Sequence, residues 1–348
     1  PGLQDLADKG WLLSQAEPEA YKIHRIIQEV VKRKLPPSVE GLSELIRRVG
    51  DLLNIDQTKD NPADKSPVVP YGEAILLLFP DAKEEVLGYL QNELGRVFQA
   101  LGDYSAARAL YEKAVHSAET SLGTDHTDTA IVYSNLGTLL HAQGDYNAAK
   151  TLLEKAVRSN EASFGEDDPE TAIRYSNLAL VLQEIKEYTD AEFLLKKTVR
   201  IMEAHYGANH PYVGKSYSNL AALLLTIEDY SGAKTLLEKA IHTHEINFGK
   251  NHPTTAISYS NLSMAFRGLG DYDKAKTLLE KALRSDEVNF GENHPNTAVR
   301  YHNLGMVLKD LGKYKKAIRL VIKAHRIYSS HYGQQHPNTK KIEKSLKS

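Results

Sequence analysis

The chain of 348 residues is 41% hydrophobic and 25% charged, a composition typical of soluble folded proteins and unlike that of disordered segments. Its 43 lysines and arginines nearly balance 45 aspartates and glutamates, so the net charge of -2 predicts neither a nucleic-acid partner nor a membrane partner. No cysteine is present, which excludes disulfides, thiolate metal sites and a cysteine nucleophile and favours a cytoplasmic setting.

The first 86 residues contain no repeat and are predicted to form separate short helices. Apolar residues at helical spacing predict helices over Leu3–Leu13 and Tyr21–Leu35, and two prolines end the second. Further helices are predicted over Leu42–Leu53 and Tyr71–Phe79, joined by a proline- and aspartate-rich link at 56–70 that we expect to be a mobile loop. These helices would cap the open end of the array that follows.

Two stretches in this region, Gly10-Trp11-Leu12 and Tyr21–Glu29, resemble the last part of the winged-helix domain in STAND signalling ATPases of the NB-ARC or NACHT type. The resemblance implies that His24 would contact the phosphate of bound ADP, in the intact protein only. The sequence holds no P-loop, so no cofactor is expected in this chain, and ATP or ADP is expected only in an upstream nucleotide-binding domain. Since the chain begins Pro1-Gly2 rather than with methionine, we expect it to be part of a longer polypeptide.

From about residue 87 the sequence repeats itself every 42 residues. The motif Tyr-Ser-Asn-Leu, with one Tyr-His-Asn-Leu at the end, occurs at Tyr133–Leu136, Tyr175–Leu178, Tyr217–Leu220, Tyr259–Leu262 and Tyr301–Leu304. A tyrosine after a polar turn recurs at Tyr104, Tyr146, Tyr188, Tyr230, Tyr272 and Tyr314, which adds a degenerate first copy. Repetition at this period predicts a stack of six similar units.

Each copy is predicted to be a pair of helices, as the second copy illustrates. The apolar residues of Ala130–Leu140 share one face of a first helix, and the pattern resumes on a second helix after a turn at Gly144. Small residues such as Gly137 would let the paired helices approach closely. Gly165 is predicted to end the second helix in the left-handed conformation, and Pro169 to begin the next repeat.

This ordered pattern resembles the tetratricopeptide repeat in the 42-residue form of kinesin light chains and of the sensor arrays of signalling NTPases. The resemblance implies an all-α, right-handed solenoid of six helical hairpins, preceded by the winged-helix remnant. The expected divisions are the winged-helix part at 1–36, a helical linker and cap at 37–86, six repeats at 87–337 and a capping helix at 338–348.

In tetratricopeptide arrays the first helices line the concave surface, and the resemblance implies that ligand peptides bind there. One asparagine recurs on this face and would form a ladder along the groove, at Asn135, Asn177, Asn219, Asn261 and Asn303. An amide can both donate to and accept from the backbone of an extended peptide. A residue that hydrogen-bonds the neighbouring repeat would recur in the same way, and the sequence leaves both interpretations open. The other predicted groove residues are Leu180, Lys215, Met264 and Met306.

Basic residues and histidines also recur, but neither set predicts a binding site. The basic column consists of Lys113, Lys155, Lys197, Lys239, Lys281 and Lys323, followed three residues later by His116, Arg158, Arg200, His242, Arg284 and Arg326. Charge pairs one turn apart place this column on a solvated outer face of the second helices. Five loop histidines lie in different repeats and cannot share a metal ion, namely His126, His210, His252, His294 and His336. No catalytic motif occurs, so we expect no enzyme activity.

We therefore interpret the chain as an array that binds a protein or peptide in its groove and regulates an attached ATPase, its own upstream domain. Activation of the intact protein would permit oligomerisation. The alternative is a constitutive adaptor or scaffold of the kinesin-light-chain type, for which the N-terminal resemblance would be accidental. The groove columns are neutral to mildly apolar, which argues against a strongly charged peptide.

Overall fold

The computed structural model describes residues 12–14, 21–23, 38–55, 61–80 and 83–347, and the chain divides into two compact units at Gly165. Ahead of the repeats lie strands β1 (Leu12–Ser14) and β2 (Tyr21–Ile23), helices α1 (Val39–Leu53) and α2 (Val69–Leu78), and a 3-10 turn at Pro62–Lys65. The repeat helices of the first unit are α3 (Glu85–Ala100), α4 (Tyr104–Ser121), α5 (Thr127–Gln143) and α6 (Tyr146–Phe164). Those of the second unit are α7 (Pro169–Glu184), α8 (Tyr188–Tyr206), α9 (Pro211–Thr226), α10 (Tyr230–Phe248), α11 (Pro253–Gly268), α12 (Tyr272–Phe290), α13 (Pro295–Asp310), α14 (Tyr314–Tyr332) and α15 (Pro337–Lys347).

The predicted all-α array of six helical hairpins is confirmed. Each hairpin joins an odd-numbered first helix to the even-numbered second helix that follows it, from α3 with α4 to α13 with α14. Helix α15 occupies the place of a seventh first helix and packs on α14.

Helices were predicted over Leu3–Leu13 and Tyr21–Leu35, but the described residues of these stretches belong to strands β1 and β2, so the prediction is wrong there. The two strands pair antiparallel, with Leu12 opposite Ile23. Tyr21–Ile23 alternates apolar and polar side chains and contains two strand-favouring residues, so a period-two pattern was present that the helical interpretation passed over.

The link predicted as a mobile loop at 56–70 is ordered over part of its length. Asn61 accepts a hydrogen bond from the backbone N–H of Ala63 (3.1 Å) and thereby caps the 3-10 turn. Pro62 occupies the first position of that turn, where its missing N–H costs nothing. The prediction of a loop is therefore wrong for Pro62–Lys65.

From α5 to α13 the first helices begin at side chains that accept otherwise unbonded N–H groups of the first turn. In α7 the carboxylate of Asp168 accepts from the N–H of Glu170 (2.8 Å), and Pro169 fills the first position as predicted. The loop histidines take the same role elsewhere, with Nδ1 of His126, His210, His252 and His294 accepting at 3.1 to 3.3 Å.

The turn inside each hairpin requires a left-handed residue, and two repeats place an unfavourable one there. Gly144 has φ of 82° and ψ of 7°, which glycine adopts without strain. At the equivalent positions Lys186 and Glu228 have φ of 66° and 65°. A side chain in this conformation destabilises the fold by roughly 1 kcal/mol, so these turns are strained.

The end of the second helix differs from the predicted left-handed conformation. Gly165 has φ of 88°, but its ψ of 170° places it in the extended region with positive φ. This region is open to glycine almost alone, so the requirement for glycine is stricter than predicted.

Small residues in the first helices allow close packing within a hairpin, as predicted. A Cβ atom added at Gly137 would lie 2.8 Å from Cγ of Leu153. The alanines that face each other across the second repeat, Ala130, Ala149 and Ala156, are fully buried. Close approach leaves no space between the helices for a larger side chain.

A buried tyrosine in α5, α9, α11 and α13 connects successive repeats. The hydroxyl of Tyr133 donates to Glu119 of the preceding repeat (2.5 Å), and that of Tyr301 donates to Glu287 (2.6 Å). Burial and the carboxylate acceptor both raise the pKa of Tyr133, so its hydroxyl remains a donor. Tyr217 and Tyr259 make the same contact to Glu203 and Glu245.

The lysines of the basic column lie over these tyrosine rings. The Nζ atom is 5.0 Å from the ring centre for Lys155 over Tyr133 and 4.1 Å for Lys323 over Tyr301. Lys323 also donates to the Tyr301 hydroxyl (2.7 Å). These two lysines are therefore only partly solvated, with 40% and 36% of their side chains exposed, whereas Arg158 of the same column is exposed as predicted.

We predict that replacing the strained turn residues by glycine stabilises the array. Lys186→Gly and Glu228→Gly should each raise the free energy of unfolding by about 0.5 to 1 kcal/mol, because relief of the left-handed strain exceeds the added chain entropy. Urea denaturation followed by circular dichroism measures the change. The reverse substitution Gly144→Lys is the matched control and should destabilise, and equal stability of all three variants would contradict the strain argument.

Candidate functional site

The predicted groove residues of the second unit occupy two equivalent positions on α7, α9, α11 and α13, and each of these helices contacts the next one in the set. We call these positions the first-helix face and define it by Ile173, Leu180, Lys215, Ala222, Ile257, Met264, Val299 and Met306. Ile257 and Met264 are 50% and 47% exposed, Lys215 is exposed, and Leu180 and Met306 are partly buried. The face therefore presents flexible apolar side chains to solvent with one cationic group among them.

The predicted asparagine ladder lies beside this face and connects successive repeats. The amide nitrogen of Asn219 donates to the hydroxyl of Ser176, one repeat earlier (2.9 Å), and Asn303 donates to Ser260 (3.3 Å). In the first unit Asn135 donates to the side-chain oxygen of Asn92 (2.8 Å).

These contacts favour the inter-repeat interpretation for Asn135, Asn219 and Asn303, because an amide proton donated within the array is not available to a peptide. The asparagine side chains are partly buried rather than exposed. Contact of this column, including Asn177 and Asn261, with a ligand stays a prediction.

Other side chains on the first helices also contact a residue 43 positions away, as the asparagines do. Gln183 donates to Thr226 (3.2 Å), and Arg267 pairs with Asp310, each contact spanning 43 residues. At the C-terminal end His302 and Ser345 are 3.0 Å apart, so α15 continues the contact. Sequence reasoning missed these links, although a constant separation of one repeat plus one residue was available as a signal.

We predict that Asn219→Ala lowers the free energy of unfolding by about 1 kcal/mol, the contribution of one partly buried hydrogen bond. Ser176→Ala should cost a similar amount, and the double variant should cost less than the two single changes together, because both remove one contact. Chemical denaturation of the four proteins measures this coupling. Strictly additive losses would show that the two side chains do not interact.

A second set of inter-repeat contacts is buried and differs from one interface to the next. Nδ1 of His244 lies 2.9 Å from Oγ of Ser258, and both residues are nearly inaccessible. At the equivalent positions one repeat later, Nε of Arg300 donates to Oδ2 of Asp286 (2.9 Å), and both side chains are again buried.

The equivalent residues in the other repeats range from small and apolar to polar and charged, and the polar ones include the buried Asn160 and Arg174. Ala118 and Val132 hold these positions in the first unit, and Met202 and Ser216 hold them in the second, all buried. The two positions are always 14 residues apart, and their residue types differ from repeat to repeat. A comparison of the repeats at that separation would have included His244 with Ser258 and Asp286 with Arg300 among the polar pairs.

Burial controls the protonation of these groups. Removal from water lowers the pKa of His244 to about 4, with the nearby His252 adding to the effect. Burial also raises the pKa of Asp286, although the guanidinium of Arg300 opposes this. His244 is therefore neutral in the folded protein at pH 7.

The sign of the resulting pH dependence follows from linkage. An unfolded histidine titrates near pH 6.5, so between pH 6.5 and 4 the unfolded chain binds a proton that His244 in the folded protein does not bind. We predict that the free energy of unfolding falls by as much as about 3 kcal/mol over that range.

His244→Met, which copies the residue at the equivalent position 202, should reduce this slope, as measured by urea denaturation at a series of pH values. Some slope will remain because burial also lowers the pKa of His302. An unchanged slope in the variant would exclude His244 as its main source.

The loop histidines cap helices and stack on aromatic rings. The ring of His210 stacks on Tyr206 with 4.4 Å between centres, and His252 stacks on Phe248 at 4.9 Å. His294 and His336 stack on Phe290 and Tyr332 at 4.8 Å each. Among the residues described, no three histidine, aspartate or glutamate side chains lie close enough to share a metal ion.

His24, the expected nucleotide sensor, lies outside the described residues, as does Trp11. In the described part of the chain, none of the helices combines the length and the apolar character needed to span a bilayer.

Helical hairpins that follow one another at a fixed period, with a shared face along the first helices of the second unit, are typical of repeat arrays that bind other macromolecules. The sequence matches the model of the family described as Tetratricopeptide repeat over residues 87–162, 139–204, 170–245, 242–287 and 258–330. These matches cover more than half of the chain, so the protein belongs to the tetratricopeptide-repeat family. No curated protein matches the sequence.

Solved structures with a similar fold include proteins of the kinesin-light-chain type. BtubC (BKLC) from P. vanneervenii is 22% identical with a TM-score of 0.54, over 65% of this chain and 90% of BtubC. A kinesin-light-chain protein from Podosopora anserina, with nearly identical TPR-like repeats, is 21% identical with a TM-score of 0.52, over 60% and 98% of the two chains. The apo form of RapI is 15% identical with a TM-score of 0.60, over 83% and 99%. At these identities the likeness establishes the fold alone.

Proposed function

We propose that the first-helix face binds an apolar segment of a protein or peptide ligand. The observation that carries this proposal is the exposure of Ile257 and Met264, about half of each side chain, on a helix whose other large apolar residues are buried. Methionine adapts its shape to different partners, and Met306 continues the apolar column on the next first helix. Lys215, the cation on this face, would select a partner with a carboxylate or carbonyl near its apolar residues.

The proposal predicts that charge on the first-helix face prevents binding. Met264→Glu combined with Met306→Glu should weaken ligand capture by at least about tenfold, because carboxylates would have to be desolvated against apolar groups. A photo-crosslinking residue placed at position 264 of the full chain identifies the bound segment, and quantitative capture compares the variants.

The matched control is Ile246→Glu combined with Val288→Glu, which adds the same charges at exposed apolar positions of second helices. This control should bind as the wild type does. Equal loss in both variants, or full capture by the first, would contradict the assignment of the ligand to this face.

We propose further that ligand binding is reported to an attached STAND ATPase. The support is the resemblance carried by Gly10-Trp11-Leu12 and Tyr21–Glu29, together with the antiparallel pairing of Leu12–Ser14 with Tyr21–Ile23. A wing in a winged-helix domain is such a strand pair. In the intact cytoplasmic protein His24 would contact ADP held by the upstream domain, and occupancy of the array would shift that domain away from its resting state.

A constitutive adaptor or scaffold of the kinesin-light-chain type is the alternative, because the 42-residue repeat resembles that of both kinds of protein. Nucleotide exchange by the intact protein separates the two functions. A sensor should exchange ADP faster when the ligand identified by crosslinking is added, and Met264→Glu with Met306→Glu should abolish that acceleration without changing the basal rate. An adaptor should show no acceleration in the wild type.

A further inference from the structure

The last repeat departs from a pattern that the other second helices keep on their outer side. Two positions one turn apart carry opposite charges and pair at 2.8 Å in α4, 2.7 Å in α8, 3.9 Å in α10 and 3.3 Å in α12. The pairs are Arg108 with Glu112, Glu192 with Lys196, Lys234 with Glu238 and Lys276 with Glu280. In α14 the same two positions hold Ile318 and Ile322.

These two isoleucines lie in an exposed apolar stripe with a basic border. Tyr314, Ile318 and Ile322 follow one another at intervals of one turn and are 60%, 52% and 37% exposed. Lys315, Arg319 and Arg326 share this side of the helix and are exposed. We call these six residues the C-terminal basic face.

No acidic side chain pairs with the cations of this face within the described residues, in contrast to the outer faces of the earlier repeats. The segment from Lys309 to Lys347 contains eleven lysines and arginines and only two acidic residues, Asp310 and Glu343. The net charge of -2 for the chain therefore conceals a strongly positive C-terminal end.

We propose that the C-terminal basic face docks on an anionic lipid surface, a function separate from ligand binding on the first-helix face. Isoleucine side chains on the exposed side of a helix lying in the membrane plane enter the boundary between headgroups and acyl chains, and tyrosine is favoured at that depth. Lysine and arginine beside them attract anionic headgroups. This assignment replaces the expectation of no membrane partner, which rested on the average charge.

The distribution of the cations favours an extended surface over a discrete ligand. The basic residues are spread along α14 and α15 instead of converging on one position, whereas a single acidic peptide would need a convergent site. A nucleic acid would use the charge but gain little from the exposed isoleucines. The remaining alternative occupant is an acidic amphipathic helix of a protein partner, and binding to lipid vesicles distinguishes the two occupants.

Cosedimentation with lipid vesicles tests the proposal. The full chain should bind vesicles of phosphatidylcholine with about one third phosphatidylserine and should not bind pure phosphatidylcholine, with binding that weakens as salt is added. Ile318→Lys combined with Ile322→Glu restores the charge pair of the other repeats and leaves the net charge unchanged. This variant should partition at least about tenfold less, because only the apolar contribution has been removed.

A variant with matched chemistry elsewhere is the control. Lys234→Glu combined with Glu238→Lys reverses the equivalent pair on α10, also at constant net charge, and should bind vesicles as the wild type does. Circular dichroism melting establishes that both variants are folded. Equal binding to both vesicle types, no binding to either, or undiminished binding by the isoleucine variant would overturn the proposal, and the second result would point to an acidic protein partner.

Discussion

A helical hairpin of this size cannot bury its own apolar face, and every other feature of the structure depends on that constraint. Each repeat must cover its neighbour, so the positions that are most constant along the chain are those that join one repeat to the next. The tyrosine that donates to a glutamate of the previous repeat is one such position, and Tyr133 and Tyr301 make the same contact in the two units. The asparagine that donates one repeat back, at Asn135 and Asn219, is another.

A residue that recurs in successive repeats therefore indicates a role in stacking, whereas a residue that departs from the repeat pattern indicates a surface available for binding. On the first-helix face, equivalent positions carry different residue types in different repeats, among them lysine, isoleucine and methionine. On the outer side of α14, two isoleucines stand where the other second helices have a charge pair. A recurrent polar ladder attracts attention in a sequence because it recurs. Its hydrogen bonds within the array show why recurrence alone does not identify a binding surface.

The parts that the sequence predicted well depend on local chemistry. Helix ends follow from capping side chains and from glycine at turns, so Asp168-Pro169 and Gly144 could be placed from their neighbours alone. The parts that were missed depend on how helices align in space. The contacts of Ser176 with Asn219 and of Asp286 with Arg300 join residues 43 and 14 positions apart, and neither distance is visible in a single helix. The helix predicted from Tyr21 was wrong for a different reason. A stretch of three residues fits both the helical and the strand pattern of apolar residues, and here the pairing with a second strand determines which structure forms.

The buried pairs vary between interfaces, so the residues at a junction match the repeat that normally packs against them. If a repeat were duplicated, deleted or stacked one place out of order, Asp286 would face a partner such as Ser258 in place of Arg300 and would leave a charge in the core without its counterion. Similar neighbouring repeats are otherwise prone to such misassembly during folding. Chemically distinct junctions therefore let an array built from one repeated unit keep a fixed order and a fixed length.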